Sequence, residues 1–319
     1  MNILITGCAG FIGFHLSKKF LDNNKKVIGI DNLNNYYDVS LKLKRLKILK
    51  KYKNFKFHKI DLSNKIKIEK IFKKYKISQV INLAAQAGVR YSITNPEAYI
   101  TSNLIGFYNI MQISKDFNVN KFIYASSSSV YGANSSIPFS ESDEVKSPIS
   151  LYAATKLSNE ILCESYSRMF KMNSIGLRFF TVYGPWGRPD MALFKFTKKI
   201  LNNQKIDIYN YGKMLRDFTY IDDVIESIYR LSKVKKKFQN EIFNVGNNSP
   251  VQLMKFILEL EKALKLKIKY KFFPMQLGDV KSTYSNSRKL FKVINFKPKT
   301  NIKLGINNFL KWYLKNYHI

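Results

Sequence analysis

A doubly wound α/β sheet of parallel strands is the fold that three features of this sequence predict. Short apolar runs fit for buried parallel strands alternate with stretches whose apolar residues recur at helical spacing. The first such run enters a turn with regularly spaced glycines and continues into a helix. From Thr181 onward the simple alternation stops, as a smaller second domain would require. At 319 residues, with 45% hydrophobic and 14% aromatic content, the chain is long enough for one large core or two domains and reads as globular.

Taken in order, Asn2-Ile3-Leu4-Ile5-Thr6 is the first strand, followed by Gly7-Cys8-Ala9-Gly10-Phe11-Ile12-Gly13 and a helical pattern through Leu16, Phe20 and Leu21. Glycines so placed allow a tight turn, close approach of the backbone to a diphosphate and close helix-on-strand packing. The strand Lys26–Ile30 ends at Asp31, an acid placed to accept hydrogen bonds from an adenosine ribose and to repel a 2′-phosphate. Strand, turn, helix, strand and acid in that order predict a Rossmann sheet that holds NAD rather than NADP.

Residues 41 to 59 are dense in Lys, and a helix with Leu41, Leu46 and Leu49 on its apolar edge would carry those charges as a solvated face. Asn54 to Ile60 alternates as a strand and ends at Asp61-Leu62, near the expected adenine edge. Gln79 to Ala85 is another buried strand, where small residues at Ala84, Ala85 and Gly88 would let a cofactor lie against the backbone. A helix is expected from Asn103 to Phe117, with Leu104, Phe107, Ile110, Met111 and Ser114 on one side. Strands follow at Lys121–Ala125 and Asn173–Phe180, with a helix from Tyr152 through Leu157, Ile161 and Tyr166 between them. Glu241 to Gly246 reads as a strand returning to the sheet, so the second domain is expected to be interleaved with the first. Helices are expected at Leu253–Leu264 and Gly305–Tyr317.

The strand ending at Ala125 delivers Ser126-Ser127-Ser128-Ser129-Val130-Tyr131-Gly132 to the carboxyl edge of the sheet, where ligands bind in open parallel sheets. Next comes Tyr152-Ala153-Ala154-Thr155-Lys156. On a helix, Tyr152 and Lys156 stand one turn apart on one face. A phenol has a reference pKa of about 10, and a neighbouring ammonium favours its ionised form. With a hydroxyl from the serine run sharing the proton, this is a device for deprotonating an alcohol while hydride leaves its carbon. Any amphipathic helix can place a Tyr above a Lys, so the pair gains meaning from the dinucleotide turn upstream.

The formal charge of +32 admits a nucleic-acid-binding reading, but the Lys-rich stretch has no recognition motif beside it. A surplus of Lys on solvated faces explains the charge equally well. Cys8 and Cys163 make no disulfide framework, and His15, His58 and His318 are too scattered for a metal site. There is no basic leader with a cleavage site and no apolar run of membrane-spanning length. These features predict a cytoplasmic protein without metal, membrane anchor or nucleic-acid partner.

Gly7 to Gly13, Asp31, Asp61, Leu83 to Ala85, the serine run and Tyr152 with Lys156 together resemble the extended short-chain dehydrogenase/reductase family of nucleotide-sugar enzymes. The resemblance implies that Tyr152 is the catalytic base, that Lys156 lowers its pKa and binds the nicotinamide ribose, and that Ser127 bonds the reacting hydroxyl. It implies an NAD site of Gly7, Gly10, Phe11, Ile12, Gly13, Asp31, Asn32, Asp61, Leu62, Leu83, Ala84, Ala85, Asn103, Ser126, Tyr152, Lys156 and Phe179. It divides the chain into an NAD-binding part, 1–180 with a returning segment near 219–247, and a nucleotide-sugar part, 181–218 and 248–319. It also implies a homodimer through the helices around 103–117 and 152–170.

Within that family, 4,6-dehydratases carry an Asp-Glu pair after the hydroxyl residue and decarboxylases carry a Glu in this loop. This chain has Ser128 and Ser129 instead. Without extra acid–base groups, a 4-keto sugar can turn over and be reduced on its other face. Residues 31–38, 85–92, 126–132, 178–192 and 210–220 resemble the UDP-glucuronate 4-epimerase branch, with UDP-glucuronate as substrate. Ser128, Ser129 and Thr181 would then be neutral donors to the uronate carboxylate. UDP-glucose 4-epimerase and UDP-glucuronate decarboxylase are the alternatives, with a non-catalytic NAD- or nucleic-acid-binding protein behind them. Arg188 and Arg216 are candidates for the diphosphate, or surface residues paired with Asp190 or Asp217. Arg90 could face sugar or phosphate. Pro274 to Val280 resembles the uridine-side loop and contributes Asp279; Gln276 is usual for the branch, and Leu277 departs from the commoner Pro. Asp217, Asp222 and Asp223 read as structural acids.

Overall fold

The computed structural model describes residues 2–132, 137–276 and 278–317, which leaves Leu277 and His318 outside the described residues. Seven parallel strands form the main sheet: β1 (Asn2–Thr6), β2 (Lys26–Asp31), β3 (Phe55–Lys59), β4 (Ile77–Asn82), β5 (Lys121–Ser127), β6 (Ser174–Phe179) and β7 (Glu241–Val245). Their order is β7-β6-β5-β4-β1-β2-β3. The chain reverses direction across the sheet between β1 and β4, which opens a crevice at the carboxyl ends of those strands.

The continuous apolar runs exist because both sheet faces are covered. Ile3, Ile5, Ile81, Ile123 and Ile175 enter one apolar cluster, while Leu4, Ile28, Ile30, Val80 and Phe122 enter the other. Each such side chain contributes about 1.5–3 kcal/mol by leaving water. The flanking helices that bear on the site are α1 (Phe11–Asp22), α2 (Val39–Leu49), α3 (Lys65–Lys74), α4 (Gly106–Asp116), α5 (Leu151–Phe170) and α6 (Ile221–Lys233).

Two expectations need correction. Leu41, Leu46 and Leu49 are buried on α2 as expected, but Lys42 and Arg45 are buried with them rather than solvated. Both lie on the same stripe as the leucines, and both find carbonyl or hydroxyl acceptors inside the protein. The long helix expected from Asn103 begins instead as a π-helical turn, Ile100–Ile105, before α4. The wider turn directs Asn103 inward and leaves Leu104 half-exposed, while Phe107, Ile110, Met111 and Ser114 are buried as expected.

Outside the main sheet the described residues make three two-stranded pairs: Thr181–Tyr183 with Phe218–Tyr220, Leu215–Arg216 with Val251–Gln252, and Ile206–Ile208 with Tyr270–Phe272. Asp217 ties this region to the end of β7. Its buried carboxylate accepts from the amides of Asn247, Asn248 and Ser285 and from the Ser285 hydroxyl. Cys8 and Cys163 are buried free thiols. Among the described residues, no helix is long and apolar enough to cross a membrane.

Candidate active site

The turn after β1 has no room for a side chain at Gly7 or Gly13. Gly7 has φ +67°, and a Cβ there would sit 2.8 Å from the Ala84 nitrogen; one at Gly13 would sit 2.1 Å from the Gly7 oxygen. Gly10 caps α1 without a side-chain acceptor, so the first-turn amides at Phe11 and Ile12 stay available to an anion. Asp31 is buried at the end of β2 and accepts from the amides of Ala9 (3.1 Å) and Leu33 (2.8 Å). A glycine cradle, an uncapped helix start and a fixed acid fit a dinucleotide.

Asp61 accepts from Asn32 Nδ2 at 2.7 Å and from the amide and hydroxyl of Ser63. Burial works against its ionisation, but these hydrogen bonds outweigh that and hold the carboxyl below its ordinary range. Leu62 is buried, and its carbonyl accepts from Asn109 on α4. After β4, Leu83, Ala84 and Ala85 pass over the glycine turn, with the Ala84 amide donating to Thr6 Oγ1. Asn103 spends its amide within the protein: Oδ1 accepts from the Gln86 nitrogen, and Nδ2 donates to the Gln86 oxygen and Thr155 Oγ1. It locks the segment after β4 to α5.

Strand β5 ends at Ser126 and Ser127, and a 3₁₀ turn over Ser128–Tyr131 follows. Ser127 Oγ accepts from the Ser129 amide and donates to Ser129 Oγ at 3.1 Å. Ser150 caps α5 by accepting from the Ala153 amide, which starts the helix at Leu151, one residue before Tyr152. The Ser127 hydroxyl bears on the Tyr152 phenol and favours its ionised form. Lys156 is buried one turn on, and its Nζ donates to the Ala125 oxygen at 2.9 Å. Burial brings the ammonium down to about 8, against the carboxylate of Glu160, which pushes it up.

The expected lowering of the phenol by Lys156 is not what governs Tyr152 in the chain alone. Burial raises it above 10, and the Ser127 hydroxyl and the Arg188 charge offset this in part. The Lys156 ammonium is directed at the Ala125 carbonyl rather than at the phenol.

Glu160 and Arg178 were not singled out by the sequence reading. Glu160 accepts from Arg178 Nε (3.0 Å) and Nη2 (2.8 Å) and from Ser126 Oγ (2.5 Å), all buried. The Ser126 hydroxyl is therefore engaged beneath the strand end. Residues 152, 156 and 160 recur every four positions on one helix face, a spacing that marks Glu160 in the sequence.

Arg188 donates to Asp190 through Nε (3.0 Å) and Nη2 (2.5 Å), and the Tyr36 hydroxyl donates to the same carboxylate. The pairing with Asp190 is thus present, but half-buried rather than at the surface. Gly88, at φ +108°, lies against the Tyr36 and Tyr99 hydroxyls and Arg188 Nη2. The Tyr99 ring in turn lies 6.0 Å from that of Tyr152. Arg216 pairs with Asp279 at 2.9 Å, not with Asp217, and also donates to the carbonyls of Val280 and Lys281. Arg90 is exposed and sits over the Tyr209 ring at 5.3 Å. Thr181 is half-buried beside Phe179 at the end of β6, where Phe179 pairs with Val245 and enters the core.

Residues 3–246 match the sequence profile of the NAD dependent epimerase/dehydratase family. Over its whole length the chain is similar to Protein CapI of Staphylococcus aureus, with 52% identity covering 99% of both chains. It is 43% identical to a probable UDP-glucuronate 4-epimerase of Rhizobium meliloti, covering 99% of this chain and 98% of that one. Among solved structures, it is similar to UDP-glucuronic acid 4-epimerase from Bacillus cereus in complex with UDP-glucuronic acid and NAD. That likeness has a TM-score of 0.95 at 33% identity and covers 99% of this chain and 100% of that one.

Proposed function

The chain belongs to the NAD dependent epimerase/dehydratase family of enzymes, and from that premise we propose that it is a UDP-glucuronate 4-epimerase, interconverting UDP-glucuronate and UDP-galacturonate. The observation that carries this reading is the grouping of the Ser127 and Tyr152 hydroxyls with Lys156, beside a turn whose neighbouring side chains, Ser128 and Ser129, are hydroxyls. Bound NAD supplies the acceptor, and then the donor, of the hydride at sugar carbon 4. Tyr152 takes the proton from the 4-hydroxyl and later returns one to the 4-keto oxygen, with Ser127 sharing the hydrogen bond. Lys156 holds its ammonium one turn below. Ser128, Ser129 and Thr181 serve as neutral donors to the carboxylate. Lacking an acidic residue in this turn, the site leaves the 4-keto sugar without the acid–base pair that dehydration needs, and its neutral donors do not drive loss of carbon dioxide from the β-keto acid.

The cofactor cradle is Gly7 to Gly13, Asp31, Asn32, Asp61, Leu62 and Leu83 to Ala85, with Asn103, Ser126 and Phe179 as its supporting frame. Arg188, Arg216, Asp279 and Arg90 line the nucleotide-sugar side. The domain division is 1–180 with 219–247 against 181–218 and 248–319. Ile105, Tyr108, Ile161, Met169 and Phe170 expose an apolar face on α4, α5 and the turn before them, which supports a homodimer. Buried free thiols suit a reducing cytoplasm.

Incubation of the purified protein with UDP-glucuronate, without added NAD, tests the function. An equilibrium mixture of the two uronates is expected. Release of carbon dioxide with UDP-xylose, or inertness toward the uronate while UDP-glucose turns over, would contradict it.

A further inference from the structure

Arg45 is fully buried, and its donors reach two parts of the chain at once. Nη1 donates to the Ala9 oxygen in the glycine turn (2.8 Å) and to the Tyr37 hydroxyl (2.9 Å). Nη2 donates to the carbonyls of Trp186 (2.5 Å) and Gly187 (3.3 Å). All four acceptors are neutral, and Nε has no partner among the described residues. A guanidinium is always charged, and burying one against neutral acceptors is costly unless an anion lies close.

A second tie runs alongside. His15, on α1, donates from Nε2 to the Pro185 oxygen at 2.9 Å, so three successive carbonyls, 185 to 187, accept from the dinucleotide side. Burial brings His15 down to about 4, which keeps it neutral. The next residue is Arg188, whose charge acts on Tyr152. The route from the glycine turn to the reacting phenol therefore passes through Arg45, over a segment that also packs the Trp186 ring at a tilt against Phe14, with ring centroids 5.5 Å apart.

We propose that Arg45 is a positioning residue that holds the dinucleotide turn and the Arg188 segment as one unit, with the diphosphate of the bound dinucleotide as its counter-charge. The proposal rests on the reading of the chain as an NAD-retaining UDP-glucuronate epimerase. Its charge and its bridge are separable. Methionine removes both, whereas lysine keeps the charge but cannot span both sets of carbonyls.

Three readouts test it on the full chain: NAD released on denaturing the purified protein, KM and kcat for UDP-glucuronate, and Trp fluorescence, which Trp186 shares with Trp312 alone. For Arg45→Met, retained NAD is expected to fall and KM to rise, each by about tenfold, with a smaller change in kcat. For Arg45→Lys, retained NAD is expected to stay near the parent value while KM rises and the fluorescence shifts. NAD content and fluorescence do not depend on the sugar, so a wrong substrate assignment would leave those two arms to decide. Parent-like NAD content in a folded Arg45→Met protein would overturn the proposal, as would unchanged KM and fluorescence in Arg45→Lys. If both variants fail to fold, Arg45 serves the core as a whole and the specific role is overturned.

Discussion

The Lys156 ammonium donates to the Ala125 carbonyl at 2.9 Å, which fixes α5 to the strand that ends in Ser127. The contact sets the height of the helix against the sheet, and so sets the Tyr152 phenol beside the Ser127 hydroxyl. Its cost is a buried cation.

That cost gives a pH signature. Lys156 sits at about 8 in the folded chain, below its ordinary 10.5. Between these values the unfolded chain binds more protons, so the Lys156 contribution to stability rises with pH across that window and is lowest below it. Urea unfolding at pH 7.5 and 9.5 should show a larger gain, or a smaller loss, for the parent than for Lys156→Met. An identical pH dependence in the two would remove Lys156 as a buried cation.

Glu160 neutralises Arg178 and holds Ser126 beneath the site. Glu160→Gln leaves the arginine buried without its anion and should lose about 3–5 kcal/mol of stability. Pairing it with Arg178→Met should recover much of that loss. A double variant no more stable than Glu160→Gln would show that the charge pairing is not what is lost.

Gly13→Ala places a methyl against the Gly7 oxygen, 2.1 Å from the ideal Cβ position. The glycine turn must then open, and the purified variant should carry little NAD. Parent levels of cofactor in that variant would show that the turn tolerates the shift or that NAD is held elsewhere.

Ile161 is 62% exposed on α5. In the proposed dimer it is covered, so Ile161→Glu should shift the mass in sedimentation toward the monomer. A parent protein already monomeric at micromolar concentration would dispose of the apolar face as a dimer contact.

The main sheet was legible in the sequence because strands buried on both faces read as unbroken apolar runs, and the glycine turn because no other residue fits at Gly7 or Gly13. The site residues at strand ends followed from those strands. What stayed hidden were buried charges. Arg45 and Lys42 sit in a Lys-rich stretch where composition argues for solvent, and only their shared stripe with Leu41, Leu46 and Leu49 separates them from the exposed cations. The π turn at Ile100–Ile105 was hidden too, since one extra residue per turn leaves no mark on a helical pattern except a displaced Leu104. The pairing of Arg216 with Asp279, across 62 intervening residues, depends on tertiary structure that local spacing does not encode.

Epimerisation of UDP-glucuronate in deuterium oxide, followed by mass and proton analysis of the UDP-galacturonate formed, tests the central claim most directly. If Tyr152 handles only the oxygen-bound proton while the carbon-bound hydrogen stays with the retained cofactor, the product carries no deuterium at carbon 4, and Tyr152→Phe forms product at least about a hundredfold more slowly. Deuterium at carbon 4, or a Tyr152→Phe protein that keeps its rate, would contradict the account.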